Sequence, residues 1–335
     1  MKTINGLDID IRDVLLSVTD FCLGSCVYCE LHRLKVFDFN EEWQLPHARR
    51  LLSDPMLDGM KNIHLTGGEA LLSPKLYGTC QIVRERHPDI RANMSISGFF
   101  PEVTFKYMKK IHPVLPQLRL DISVDGPKDI HEKNRGKGAY DAVMRTIDYL
   151  RTIKDLYIQL QFTVMDSNYK YLRWVWDLAQ SMDIDCYVCF PRNGPRFGHE
   201  SDTSHAHSQE VIDSLDEQLR DTWCAMRPLN RQTWETQKAV WEGKRVLSDC
   251  YMWKHSIDIS PMGDVYPCMC YKPETSYGNI KALSLTDMFN TPQAHERMLK
   301  MQHKSCQPCP MPVAMHKTNY SIDGKPVEFG TTASG

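Results

Sequence analysis

Short apolar runs alternate with segments of helical period along the first two thirds of the chain. Val14-Leu15-Leu16-Ser17-Val18 has the composition of a buried strand, as does the run 62–66. Further strands are predicted at 92–97, 117–124, 157–164 and 185–190. Between them, apolar residues recur at helical spacing over about 41–54, 74–87, 102–112, 139–152 and 170–182. Six strand–helix units imply right-handed crossovers and a parallel sheet. Six units are too few for a closed eight-unit barrel. The predicted fold class is α/β, a partial (β/α)6 barrel followed by a small C-terminal domain.

The pattern changes after the sixth strand. Residues 191–207 are rich in Pro, Gly, Ser, Asp and His and read as a loop. A helical stretch follows over about 208–245. From Cys250 the texture is short strands, turns and cysteines. Asp258-Ile259-Ser260 and Asp264-Val265-Tyr266 flank Pro261-Met262-Gly263, a hairpin signal. The expected division is 1–205 for the barrel, 206–245 for a helical bridge and 246–335 for the C-terminal module with its tail.

Composition narrows the partners. Lys and Arg number 40 and Asp and Glu 42, a net charge of -2. That balance argues against a nucleic-acid or anionic-membrane ligand. No run approaches the length of a membrane span, and Met1 to Arg12 lacks the apolar core of a signal peptide. The chain reads as cytoplasmic, where thiols stay reduced.

Twelve cysteines in 335 residues are therefore candidate metal ligands or catalytic groups. Cys22, Cys26 and Cys29 form C-x3-C-x2-C just after strand one, where parallel α/β folds place their sites. Three thiolates can hold three irons of a [4Fe-4S] cube and leave the fourth open. Cys250 and Cys268, with seventeen residues between them, could be joined by the hairpin, and Cys306 and Cys309 form C-x2-C. On spacing alone these four fit structural zinc as well as an iron–sulfur cluster.

C-x3-C-x2-C with Tyr28 before the last cysteine resembles the signature of the radical SAM superfamily. Leu65-Thr66-Gly67-Gly68-Glu69 resembles that family's GGE motif. Ser95-Ile96-Ser97-Gly98 stands where relatives often carry T-N-G, with Ser97 in the Asn position. Ser123-Val124-Asp125-Gly126, the segment His131-Glu132-Lys133-Asn134-Arg135-Gly136 and Thr163-Val164 with Asn168 follow in order. The resemblance covers about residues 13–190. It implies a cluster on Cys22, Cys26 and Cys29 that binds S-adenosylmethionine (SAM) and cleaves it to a 5'-deoxyadenosyl radical. It places Gly67, Gly68 and Glu69 at the methionine amino group, Ser97, Ser123 and Arg135 at the carboxylate and ribose, and Tyr28 near the adenine. An external one-electron reductant such as flavodoxin or ferredoxin is implied as partner.

Cys250, Gly263, Cys268, Gly278-Asn279-Ile280, Cys306 and Cys309 together resemble the twitch domain, a shortened SPASM domain. The resemblance implies one auxiliary [4Fe-4S] cluster on Cys250, Cys268, Cys306 and Cys309, with Cys270 as a competitor for Cys268. About fourteen residues precede strand one, which favours a small polar metabolite such as a sugar, aminocyclitol or nucleoside, dehydrogenated or epimerised. Peptide modification is the alternative, and a zinc-binding interaction protein is a reading of a different class. Cys186 and Cys189 lie three apart on strand six, so one should face the barrel interior and could return hydrogen to a substrate radical. The more ordinary role for either is a small buried hydrophobe. His199, His205 and His207 read as exposed loop residues, and the tryptophans between 223 and 253 as core or as a wall of the substrate mouth.

Overall fold

The computed structural model describes residues 1–29, 31, 37–190, 208–222, 228–246, 252–268, 273–302 and 329–330. An antiparallel hairpin of β1 (Lys2–Ile4) and β2 (Leu7–Ile9) opens the chain. It turns on Asn5-Gly6, both at positive φ, as a two-residue hairpin loop requires. Then come β3 (Asp13–Thr19), α1 (Leu45–Leu52), β4 (Asn62–Gly67), α2 (Leu76–Arg86), β5 (Arg91–Ile96), α3 (Pro101–Ile111) and β6 (Leu118–Ser123). Two helices, α4 (Lys128–Arg135) and α5 (Ala139–Leu150), precede β7 (Tyr157–Thr163), and α6 (Leu172–Ser181) precedes β8 (Asp185–Cys189).

Strands β3 to β8 are parallel and lie in strict sequence order. With right-handed crossovers, an order that never reverses puts every helix on the same side. That is the partial (β/α)6 barrel and not a doubly wound sheet, whose order reverses at its centre. Register explains which face is apolar. Leu16, Leu65, Met94, Leu120 and Ile158 align across five strands and are all buried. They pack with Leu76, Val83, Met108, Ile111, Val143 and Ile147 of the covering helices. Each such side chain contributes about 1.5–3 kcal/mol on burial. The alternate positions face inward and are polar: His64, Ser95, Asp121, Ser123, Gln159 and Gln161. His64 Nε2 bonds Ser95 Oγ at 2.9 Å, and Gln159 donates to Asp121 at 2.8 Å.

The predicted strands match within about a residue. Helix α4 was not anticipated, because Lys128–Arg135 has only Ile130 as an aliphatic residue and shows no apolar period. The predicted 41–54 helix is shorter, since Pro46 fixes its start within α1. The bridge is two helices, α7 (Gln209–Thr222) and α8 (Pro228–Trp241).

Beyond them lie β9 (Arg245–Val246), α9 (Met252–His255), β10 (Ser256–Ile259), β11 (Asp264–Tyr266), β12 (Gly278–Asn279), α10 (Leu285–Phe289), α11 (Pro292–Gln302) and β13 (Phe329–Gly330). The β10–β11 hairpin forms as expected. What the pattern did not reveal is that β10 pairs parallel to β3, so one mixed sheet of nine strands joins the barrel to the C-terminal region. Asp54 accepts from Thr286 N–H at 3.0 Å and from its hydroxyl at 2.6 Å. Trp43 N–H donates to Pro261 O at 2.9 Å. Among the described residues no helix is long and apolar enough to cross a membrane.

Candidate active site

The three-cysteine loop leaves the carboxyl end of β3 and is gripped from three sides. On the first side, Gly68 N–H donates to Thr19 O at 2.7 Å and Glu69 N–H to Phe21 O at 2.9 Å. A Cβ on Gly68 would come within 2.5 Å of the Asp20 and Phe21 carbonyl oxygens. A Cβ on Gly67, at φ +147, would come within 2.1 Å of Thr19 O. These glycines thus admit the backbone that leads into Cys22. On the second side, the Phe99 ring closes on Gly24, where a Cβ would lie 2.9 Å from the ring. On the third, Asn134 O accepts from Val27 N–H at 2.9 Å, and Gly136 sits against Ser25.

A buried ion pair anchors the loop's first residues. Glu42 accepts from Asp20 N–H at 3.0 Å through one oxygen. Its other oxygen takes Lys75 Nζ at 2.6 Å. Lys75 also donates to Trp43 O at 2.7 Å and lies 4.3 Å from the Trp43 ring centroid. Neither Glu42 nor Lys75 was singled out by the sequence motifs.

Glu69 is buried at the end of β4. Its Oε2 accepts from Ser97 N–H at 2.9 Å and also from the Ser97 hydroxyl. Burial pushes its pKa up, against the lowering effect of those bonds and of Arg135. Ser97 thus bonds the Glu69 carboxylate through both its backbone and its side chain. Ser123 ends β6 on the inner face, buried, two residues before Asp125.

Arg135, on the last turn of α4, is buried. Nε and Nη2 bind Asp125 at 2.6 and 3.2 Å, a bidentate pair. Nη1 stands 4.0 Å from Cys26 Sγ, and the guanidinium carbon lies 5.3 Å from the Tyr28 ring centroid. Asp125 is held in turn. Its N–H donates to His131 Nδ1 at 3.1 Å, and Asn168 Nδ2 donates to its carbonyl at 3.2 Å. The motifs containing Asp125, His131 and Asn168 were legible in sequence, but their bonding to one another was not. Burial and the Arg135 charge push His131 down to about 3, so it is neutral.

Cys22, Cys26 and Cys29 carry no disulfide and are each partly buried. Burial pushes the Cys22 thiol up to about 12, with Cys26, Cys29 and Glu69 adding to the rise. Gly24 N–H points at Cys22 Sγ at 3.3 Å. Among the described residues no three His, Cys, Asp or Glu side chains converge as for a single metal ion. A cube places each thiolate on a different iron, so its ligands need not converge on one point. The donor set, three thiols with Gly24 N–H and Arg135 directed at sulfur, fits such a group.

Cys186 pairs in register with Leu160 on the apolar face, and burial pushes its thiol up to about 12. Cys189 pairs with Thr163 on the inner face and is partly exposed. Of the two thiols considered as hydrogen donors, Cys189 has the required side. Trp234 and Trp241 pack on Phe190, just beyond β8, with ring centroids 6.0 and 5.2 Å away. Cys80 is a buried core thiol. Cys268 is partly buried beside the core. Cys250, Cys270, Cys306, Cys309, Cys224, Trp223, His199, His205 and His207 lie outside the described residues.

Comparisons with known proteins agree with this arrangement. The model of the Radical SAM superfamily matches residues 16–158, and that of an iron–sulfur cluster-binding SPASM domain matches residues 250–310. A curated relative is the antilisterial bacteriocin subtilosin biosynthesis protein AlbA of Bacillus subtilis (strain 168), 24% identical over 253 residues. That alignment covers 73% of this chain and 52% of the relative. A second is GTP 3',8-cyclase 1 of Pseudomonas aeruginosa, 26% identical over 212 residues, covering 62% of this chain and 63% of the relative. The chain thus spans between about half and two thirds of the curated relatives it matches. Among solved structures, native anSMEcpe with bound AdoMet and Cp18Cys peptide superposes with a TM-score of 0.62 at 16% identity, covering 95% of this chain and 92% of that one. Motif order, strand order and both family matches converge on one conclusion: the chain belongs to the radical SAM superfamily and carries a C-terminal auxiliary domain of the SPASM/twitch type.

Proposed function

We propose that this chain is a radical SAM enzyme that modifies a peptide. The observation that carries the chemistry is the grip on the Cys22–Cys29 loop, at the carboxyl end of β3, by the segments that follow β4 and β5 and by the end of α4. A [4Fe-4S] cluster bound there would supply an electron to SAM and so generate a 5'-deoxyadenosyl radical that takes hydrogen from a C–H bond. Glu69 offers an anionic acceptor to the SAM ammonium, and Ser97 orients that carboxylate. Ser123, Gln161 and Cys189 lie on the inner face, and Phe190, Trp234 and Trp241 pack on one another beyond β8.

The bacteriocin-biosynthesis relative and the peptide-bound structural neighbour, which matches almost the whole chain, support the peptide reading. The polar inner face, with His64, Ser95 and Asp121, favours the small-metabolite reading as the second one. Four auxiliary ligands, Cys250, Cys268, Cys306 and Cys309, fall within the matched SPASM region and would hold a second [4Fe-4S] cluster. A flavodoxin or ferredoxin would deliver the electron.

The test uses candidate precursor peptides from neighbouring genes, deuterated at side-chain and α carbons. Deuterium in 5'-deoxyadenosine from a peptide supports the reading. Transfer only from a sugar, aminocyclitol or nucleoside overturns the peptide reading and keeps the radical chemistry.

A further inference from the structure

Arg135 is well placed to act on a thiolate rather than on a ligand carboxylate. A guanidinium has five N–H donors arranged on a rigid plane. Asp125 occupies the edge made by Nε and Nη2, at 2.6 and 3.2 Å. Both partners of the pair are buried, with 5% and 0% of their side chains exposed. Swinging Arg135 away would strand a buried carboxylate without its counter-charge. The nitrogen outside that edge is Nη1, and it faces Cys26 Sγ at 4.0 Å. Tyr28 backs the guanidinium, and Asn168 and His131 fix the Asp125 backbone. The pair as a whole is neutral, so its effect on the sulfur comes from orientation: the positive end points at Cys26.

An N–H directed at a cluster sulfur draws charge from it, and hydrogen bonds to sulfur are among the factors that set a cluster's potential. Less electron density on the iron makes the reduced state easier to reach. We propose that the Asp125–Arg135 pair raises the reduction potential of the cluster on Cys22, Cys26 and Cys29 by presenting a guanidinium N–H to the Cys26 sulfur, with Asp125 as the positioning residue. This rests on the assignment of those three cysteines as cluster ligands.

The experiment is an EPR-monitored redox titration of the anaerobically reconstituted full chain without SAM. The signal that Cys26→Ala lacks identifies the SAM-site cluster. The double variant Asp125→Asn/Arg135→Gln removes both charges together, so no charge is stranded and the net local charge is kept. Its reduced-to-oxidised ratio at a fixed applied potential should fall roughly tenfold, equal to about 59 mV for a one-electron couple. Arg135→Lys keeps the charge and can still meet Asp125, but it lacks the fork that reaches sulfur, and it should shift in the same direction. A ratio within about twofold of wild type in both variants, with full iron content, overturns the proposal and leaves the ligand assignment standing. Loss of the cluster in both variants also overturns it, because the pair would then be holding the loop. A Cys26→Ala protein with undiminished iron and signal would instead sink the ligand assignment.

Discussion

Glu69, at the end of β4, accepts a 2.9 Å hydrogen bond from the backbone N–H of Ser97, at the end of β5. One oxygen of a buried carboxylate is thereby fixed between two strands, beside the cysteine loop. Glu69→Gln keeps an oxygen that can accept from Ser97 but removes the charge. SAM binding to the reconstituted protein should weaken about tenfold, the scale of one charge-assisted bond. Burial raises the Glu69 pKa, so the charge itself works against folding. The melting temperature of Glu69→Gln should therefore equal or exceed that of wild type. Equilibrium dialysis with labelled SAM and a thermal melt check both, and an unchanged affinity would remove Glu69 from the SAM site.

Lys75 and Glu42 tie α2 to the start of the cysteine loop through Asp20 N–H. Lys75→Met strands Glu42 as a buried charge and should cost about 3–5 kcal/mol. Adding Glu42→Gln should recover most of that loss, because the stranded charge is gone and an acceptor for Asp20 remains. Urea denaturation of the three proteins measures it. Equal losses in the single and double variants would contradict this account.

His131 carries the pH dependence most open to test. Its folded pKa is pushed from 6.5 down to about 3. The unfolded chain therefore binds a proton below about 6.5 that the folded protein refuses until about pH 3. Stability is lost as pH falls through this window, by about 3 kcal/mol between pH 7 and pH 4. His131→Asn keeps a carbonyl acceptor for Asp125 N–H and does not titrate. Its loss of stability over the same interval should be smaller, as read from urea midpoints. Parallel losses in the two proteins would show that His131 is not responsible.

The barrel was legible because period-two and helical patterns are local properties, and most motifs stood at or just after predicted strand ends. Non-local relations were not legible. No pattern in Ser256–Ile259 announces that it pairs with Val14 and its neighbours, more than two hundred residues earlier. Asp125 and Arg135 were visible as separate motif residues, but the bidentate bond between them depends on the angle between β6 and α4. The resemblance places Gly67 and Gly68 at the methionine amino group, but does not show what their missing Cβ atoms make room for, the backbone of Thr19, Asp20 and Phe21. Period-two alternation did place Cys186 and Cys189 on opposite faces, and register then showed which face each occupies.

The two thiols thus face opposite sides of the sheet. If the reaction returns hydrogen to the substrate, Cys189→Ala should block deuterium uptake into product in D2O, and Cys186→Ala should not. Mass spectrometry of the products decides it. Equal deuterium content from Cys189→Ala and wild type would exclude Cys189 as donor.

The loop bearing Cys22, Cys26 and Cys29 is expected to support reductive SAM cleavage. The most direct measurement is 5'-deoxyadenosine formed on dithionite reduction of the anaerobically reconstituted chain, compared with its Cys26→Ala variant. The expected result is a brown protein with roughly eight irons from two cubes, 5'-deoxyadenosine from wild type and none from Cys26→Ala. A colourless zinc-loaded protein that forms none, or a Cys26→Ala variant that still cleaves SAM, would contradict it.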